Sequence, residues 1–102
     1  MADYLVKGRP TRTLKSLREQ LDRGEIAQMN PFGEALDYSL KHARVDPDGW
    51  ATWEENDYCS PPLAMERAAV LDRHFHDLSV EKVKKGAGWK RIDHLPSFWR
   101  DQ

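Results

Sequence analysis

The sequence predicts an α+β fold, and three observations lead to this prediction. An Asp-Pro-Asp-Gly turn at 46–49 lies between two segments that alternate apolar and polar residues, which is typical of a β-hairpin. Segments 13–24 and 60–79 repeat apolar residues every three or four positions, as amphipathic helices do. Short β-prone runs precede the first of these helices and follow the second. The 102 residues, 39% of them hydrophobic, predict a single α+β domain over 1–102.

The first two elements follow from local signals near the N-terminus. Tyr4 to Lys7 form a β-prone run that Gly8 and Pro10 bring to an end. A helix follows, with Thr13 as its N-cap and Gly24 at the left-handed position that ends many helices. Its apolar stripe consists of Leu14, Leu17 and Leu21. These signals predict a strand and then a helix.

The central hairpin is predicted to span residues 34–59. Pro47 and Gly49 suit the second and fourth positions of a type I turn that is followed by a glycine bulge. That turn pairs Asp46 with Trp50 and thereby fixes the register of both arms. In this register two further pairs face each other, Tyr38 with Tyr58 and His42 with Glu54, while Trp53 lies on the opposite face.

A second helix and a last strand complete the predicted fold. Ser60-Pro61-Pro62 suits a helix entry, and a following apolar stripe ends near Ser79. The stripe consists of Ala64, Ala68, Leu71, Phe75 and Leu78. Residues 79–85 then favour a strand, with a short helix stopped by Gly86 as the alternative. The resulting order β-α-β-β-α-β is that of a ferredoxin-like sandwich, with one sheet face open and residues 88–102 as a Trp-containing C-terminal arm.

Composition and charge disfavour several classes of function. The net charge of −1 provides no overall basic field, so the sequence disfavours nucleic-acid binding, although Trp89 lies among lysines and arginines in the 82–91 stretch. Residues 1–7 contain no apolar signal segment, and the chain has no run long enough to span a membrane.

Cysteine and histidine spacing bears on redox compartment and on metals. Cys59 is the only cysteine, which excludes an intramolecular disulfide and a Cys-rich zinc site and predicts a cytoplasmic location. A partly buried structural thiol is the preferred interpretation of Cys59, with a reactive thiol as the alternative. His74 and His76 would point to opposite sides of a helix. The sequence therefore predicts no metal and no cofactor.

Two functional hypotheses are preferred, and RNA binding through the 82–91 stretch is kept as a third. The first is a non-catalytic protein-interaction or accessory subunit that binds a protein partner, or itself as a homodimer, through the open sheet face and the aromatic arm. Its candidate binding residues are Trp53, Trp89, Arg91 and Trp99. The second is a small dimeric ferredoxin-like enzyme doing general acid/base chemistry on a small molecule. Its candidate catalytic residues are His42, Glu54, Tyr38 and Tyr58.

Overall fold

A computed structural model describes residues 2–100 and shows an α+β fold built on one antiparallel sheet. The strands are β1 (Ala2–Pro10), β2 (Arg44–Val45), β3 (Ala51–Asp57) and β4 (Phe75–Val83). Their order in the sheet is β2-β3-β1-β4. The long strand β1 therefore lies inside the sheet, paired along most of its length with both β3 and β4.

Helix α1 (Leu14–Asp22) confirms the predicted first helix. Leu17 and Leu21 lie one turn apart and are both buried, and Gly24 has the left-handed φ of 73°. Thr13 precedes the helix but its hydroxyl bonds elsewhere: it lies 2.6 Å from Nδ1 of His74. This contact joins the start of α1 to the residues just before β4.

The first arm of the predicted hairpin is wrong, because residues Gly33–Lys41 form helix α2. Leu36, Leu40 and Ala43 are spaced four and three apart and are buried, whereas Tyr38 is 57% exposed. Leu36 and Leu40 are four residues apart and share one face of a helix, whereas Tyr38, two residues from each, points away from that face. Consequently Tyr38 has no strand partner.

The turn and its register are confirmed. The Asp46 N–H donates to the Trp50 carbonyl over 3.0 Å, and Gly49 has a φ of 87°. Beyond the turn, Arg44 pairs with Thr52 in the predicted register. Past this short strand, α2 takes the place of a longer β2: the Ser39 hydroxyl donates to the Glu54 carbonyl over 2.7 Å. A side-chain hydroxyl of α2 thus bonds the β3 carbonyl that a longer β2 would otherwise pair with.

The second predicted helix is shorter than expected. It consists of α3 (Ala64–Glu66), a π-helical segment (Arg67–Leu71) and a last turn, α4 (Asp72–His74). Phe75 then begins β4, which confirms the predicted last strand but places its start several residues earlier. Phe75 is buried, with its ring centroid 5.1 Å from that of Trp53.

The C-terminal arm crosses from one face of the sheet to the other. Helix α5 (Ala87–Ile92) packs on the face that carries Glu54, opposite to Trp53. The chain then runs beside β2, where the Phe98 N–H donates to the Ala43 carbonyl over 2.9 Å. Phe98 and Trp99 end in the main core on the helical side.

Candidate functional site

A cleft lies where the start of α2, the end of β3 and α3 meet, and its volume is about 130 Å³. Its apolar wall consists of Pro31, Phe32, Ala35 and Met65. Asp57 and Glu66 line it as well, together with Tyr58 and Cys59. The cleft therefore combines apolar walls with carboxyl groups, and we call it the acidic cleft.

The loop after β3 brings Glu66 to this cleft. Asp57 Oδ2 accepts N–H hydrogen bonds from Cys59, over 3.0 Å, and from Leu63, over 2.7 Å. These bonds fold residues 57–63 back on the strand end. Leu63 is buried in a left-handed conformation with φ of 63° directly before α3, so Glu66 in the first turn of α3 faces inward.

Glu66 is the most unusual side chain in the cleft. Its residue exposure is 0%, and its carboxyl group lies against the side chains of Glu55 and Asp57, with which it can share a proton, rather than against a basic side chain. Beside it, Glu55 is 1% exposed and accepts one bond, from Trp53 Nε1 over 3.1 Å at Oε1, while its Oε2 has no donor among these residues. Buried carboxylates without donors are strongly disfavoured in their charged form.

The surroundings of these three carboxyl groups shift their pKa values in opposite directions. Burial, reinforced by the neighbouring Glu66, raises the pKa of Glu55 well above its usual value. Burial likewise raises the pKa of Glu66. Burial acts in the same sense on Asp57, but its hydrogen bonds, led by that from the Leu63 N–H, outweigh it and lower the Asp57 pKa. Asp57 is thus the stable anion, and Glu55 and Glu66 retain a proton between them at higher pH than exposed carboxyls do.

Cys59 lies half-buried beside Asp57. The Met65 N–H lowers its pKa, but burial and the Asp57 charge together outweigh this bond and raise it. The thiol is therefore protonated at neutral pH, in agreement with the structural interpretation rather than the reactive one.

The same groups approach the geometry of a metal site without matching one well. Asp57, Cys59 and Glu66 each bring one possible ligand atom within 4.8 Å of the others. However, Asp57 Oδ2 already accepts two backbone N–H bonds, and a thiolate is needed for strong metal binding. We assign no metal to the cluster.

The four candidate catalytic residues are placed in different surroundings. The His42 ring stacks on Tyr38 at 4.1 Å, and its Nδ1 lies 2.8 Å from the Tyr38 carbonyl oxygen. Glu54 accepts N–H bonds from Gly86, Gly88 and Trp89 at the start of α5. The strand pairing predicted for His42 and Glu54 does not form, because His42 follows a helix. Tyr58 alone among the four lines the acidic cleft.

The four candidate binding residues are divided between the two sheet faces. Trp53 is fully buried, and Trp99, 8% exposed, donates from Nε1 to the Leu40 carbonyl over 2.6 Å. Trp89 and Arg91 lie on α5, where Arg91 forms an exposed ion pair with Glu81 at 2.6 Å. The structure does not bring these four residues together on one surface.

The sequence contained a signal for the buried carboxyls that the predictions missed. Glu55 alternates along β3 with Ala51 and Trp53, so it belongs to the core-facing set. Glu66 lies three residues after Leu63 and four before Val70, on the buried stripe of its helix. A glutamate on each of these two apolar faces indicates two buried carboxyl groups, but the pattern does not indicate that they form a pair.

Within residues 2–100, no helix is long and apolar enough to cross a membrane. Comparisons with family models, curated proteins and solved structures found no match for the chain.

Proposed function

We propose that this protein is a small enzyme doing general acid/base chemistry on a small molecule in the acidic cleft. Glu66 is the group that exchanges a proton with the substrate, and Glu55 shares that proton between turnovers. The carrying observation is Glu66 itself, a fully buried carboxyl among the residues that line the cleft, whose side chain hydrogen-bonds with those of Glu55 and Asp57.

Unpaired carboxyls support proton exchange at neutral pH. None of the ion pairs formed within residues 2–100 includes Glu55, Asp57 or Glu66. A proton shared by Glu55 and Glu66 relieves their repulsion, and such a pair offers both an acid and a base. A catalytic acid or base works best when its pKa lies near the working pH, and burial moves both glutamates in that direction.

The cleft walls support a small substrate. Phe32, Ala35 and Met65 provide apolar contact beside the carboxyls, and a concave apolar site with a few polar groups is typical of small-molecule sites. Tyr58, which is 61% exposed, is placed to contact a bound molecule from outside.

The strand pairing supports the finer architectural proposal of a ferredoxin-like sandwich. In the order β2-β3-β1-β4, each βαβ connection passes over one intervening antiparallel strand, as expected for two interleaved βαβ units. The connection from β1 to β2 contains two helices, α1 and α2, where the simple pattern has one.

An interaction subunit has less support. Trp53 and Trp99, two of the residues expected to bind a partner, are buried by this chain's own core. A homodimer, a protein partner and a cytoplasmic location stay predictions.

The proposed function is tested by deuterium incorporation into small carbon acids in D2O, followed by proton NMR at neutral pH. The panel consists of small aliphatic ketones and aldehydes and their amino-substituted forms. We expect acceleration for at least one class and a loss of about 100-fold or more in Glu66→Gln, as removal of a general base predicts. Glu81→Gln, at an exposed carboxylate, is the matched control. No acceleration across the panel, or full activity in Glu66→Gln, would contradict the proposal.

A further inference from the structure

A buried histidine joins the start of α1 to the start of β4. His74 is 4% exposed, and β4 begins with the next residue, Phe75. The Nδ1 atom of His74 lies 2.6 Å from the hydroxyl oxygen of Thr13, the residue before α1. The His74 carbonyl accepts the N–H of Thr11 over 2.9 Å. The ring and the backbone of His74 therefore both contact the segment that leads into α1.

The Thr13 hydroxyl does not have the usual role of its position. A threonine directly before a helix commonly accepts a hydrogen bond from an N–H of the first turn. In this protein the Thr13 side chain makes no such bond to the amides of α1. Its oxygen instead lies 2.6 Å from His74 Nδ1, 2.8 Å from the Thr11 hydroxyl and 3.1 Å from the Arg73 carbonyl. Two partners thus compete for this hydroxyl, His74 and the first turn of its own helix.

The charged groups near His74 along the chain are mostly basic, and they come from each of the adjoining elements. They are Arg9 of β1, Arg12 before α1, Lys15 of α1 and Arg73 of α4. None of these four forms an ion pair within residues 2–100. The two nearest carboxylates along the chain already have partners, in the pairs Asp72–Arg67 at 3.1 Å and Asp77–His76 at 3.0 Å. A positive charge on His74 would therefore gain no carboxylate partner from these neighbours.

Burial, rather than the hydrogen bond, makes a charged His74 ring costly. The Thr13 hydroxyl can donate to a neutral Nδ1 and can accept from a protonated one, so the bond tolerates both forms. Burial lowers the pKa of His74, and the Arg73 charge adds to this effect. The contribution of the neutral ring is complete above the unfolded pKa of about 6.5 and is lost as the pH falls below it. Acid therefore favours a state in which the ring contacts water.

The start of α1 is the side of this contact that can separate with less loss of burial. The Phe75 ring is fixed in the core, with its centroid 5.1 Å from that of Trp53 and 6.2 Å from that of Phe98. Arg12 and Thr13, in contrast, are exposed. The body of α1 is held by its own buried side chains, Leu17 and Leu21. Residues 11–13 can thus leave His74 while the helix and the sheet stay in place.

We propose that Thr13 and His74 form an acid-sensitive latch. In the closed state the His74 ring is neutral and bonds the Thr13 hydroxyl. Protonation of the ring opens the latch: His74 turns to water, residues 11–13 separate from it, and the Thr13 hydroxyl caps α1. The latch does not depend on the proposed function, since neither residue lines the acidic cleft.

The test is amide hydrogen exchange of the 15N-labelled full chain between pH 7.5 and pH 5, with each rate divided by the intrinsic rate at that pH. We expect the protection of the Thr11 amide to fall about tenfold, because uptake of one proton allows at most about tenfold per pH unit. The Ser16 amide should gain protection as Thr13 caps the helix. The Leu17 amide, which bonds the Thr13 carbonyl, and the amides of β1 should keep theirs. Unchanged protection at Thr11 and Ser16 would overturn the latch, and so would equal losses at Leu17 and in β1.

Two variants and one measurement on the native chain assign the effect to His74. His74→Gln has no titrating ring and should abolish the pH dependence at Thr11, whereas His76→Gln, at an exposed position of the same segment, should retain it. A pH dependence that persists in His74→Gln would overturn the latch. The His74 ring is also titrated by 13C NMR in the native chain, which decides the question even if His74→Gln does not fold. Titration below about 6.5 supports the latch, and titration at or above that value overturns it.

Discussion

Asp57 and Glu66 show how the surroundings of one chemical group decide its behaviour. The Asp57 carboxylate receives backbone N–H bonds from Cys59 and Leu63, whereas the Glu66 carboxyl lies against the acidic side chains of Glu55 and Asp57. The first group is stabilised as an anion, and the second retains its proton to higher pH because burial raises its pKa. A buried carboxyl of this second kind lowers the stability of the fold, which is common where a residue is kept for function.

Glu66→Gln should therefore stabilise the protein at neutral pH. The amide is nearly the same size, carries no charge and brings a donor to the neighbouring carboxyls, so we expect a gain of about 1 kcal/mol. A carboxyl with a raised folded pKa stabilises most below its unfolded pKa of about 4.3, and this contribution is lost as the pH rises through the folded pKa. The gain should accordingly be larger at pH 8 than at pH 4.

Urea unfolding at both pH values measures this effect, with Glu81→Gln as the surface control. A Glu66→Gln protein that is destabilised at pH 8 would show that the carboxylate has a partner in solution.

His74 gives a second test at the residue scale, in which stability depends on pH in the opposite direction. Burial lowers its pKa, with the nearby Arg73 charge adding to the effect, so the folded state prefers the neutral ring. Its contribution is complete above the unfolded pKa of about 6.5 and is lost as the pH falls below that value. The free energy of unfolding, followed from pH 8 to pH 5, should fall more steeply in the native chain than in His74→Gln. Parallel curves would rule out this role.

At the scale of elements, Glu54 fastens α5 to the sheet. Its carboxylate accepts N–H bonds from Gly86, Gly88 and Trp89, and a Cβ on Gly88 would come within 2.8 Å of Glu54 Oε1. The helix and the strand thus approach closely only because residue 88 is glycine.

Glu54→Ala should detach α5 from the sheet, because three N–H groups lose their acceptor. We expect a loss of about 2–3 kcal/mol in the free energy of unfolding, together with faster amide exchange over 86–92. Glu81→Ala removes the exposed ion pair with Arg91 on the same helix and is the matched control, with little expected change. Equal effects of the two substitutions would mean that the Glu54 bonds do not hold α5.

Elements with short-range signals were predicted well from the sequence. The turn at 46–49, helix α1 and the strand nature of β1 and β4 all depend on neighbouring residues. Helix α2 was mistaken for a strand because Leu36, Tyr38 and Leu40 alternate, and only tertiary burial of Leu36, Leu40 and Ala43 decides for the helix.

The acidic cleft was harder to predict, since it joins residues from α2, β3 and α3 that are far apart in the chain. Glu55 and Glu66 each lie on an apolar face, but nothing local indicates that those two faces meet. Tyr58 was a candidate and does line the cleft, whereas the reason given for it, a pairing with Tyr38, was wrong.

At the scale of the whole molecule, the C-terminal arm packs against both faces of the sheet. Phe98 and Trp99 extend the aromatic cluster around Phe75, with ring centroids of Phe98 and Trp99 4.8 Å apart. Arg18 of α1 lies over the Trp99 ring at 5.3 Å. The last described residues thereby contact the first helix.

Trp99→Ala should lower the free energy of unfolding by about 3–5 kcal/mol, because a large buried side chain and its bond to the Leu40 carbonyl are both lost. Denaturant unfolding measures the change, and Trp89→Ala, at a half-buried position, should have a smaller effect. If both variants were equally mild, the arm would not be part of the core.

The most direct test of the central claim is the pH titration of the Glu55 and Glu66 side-chain carboxyl carbons by 13C NMR in the intact protein. The account predicts that both titrate above the range of ordinary glutamates and that each senses the other, while Asp57 titrates below its ordinary value. Titration of both glutamates near the ordinary value of about 4.3 would contradict it.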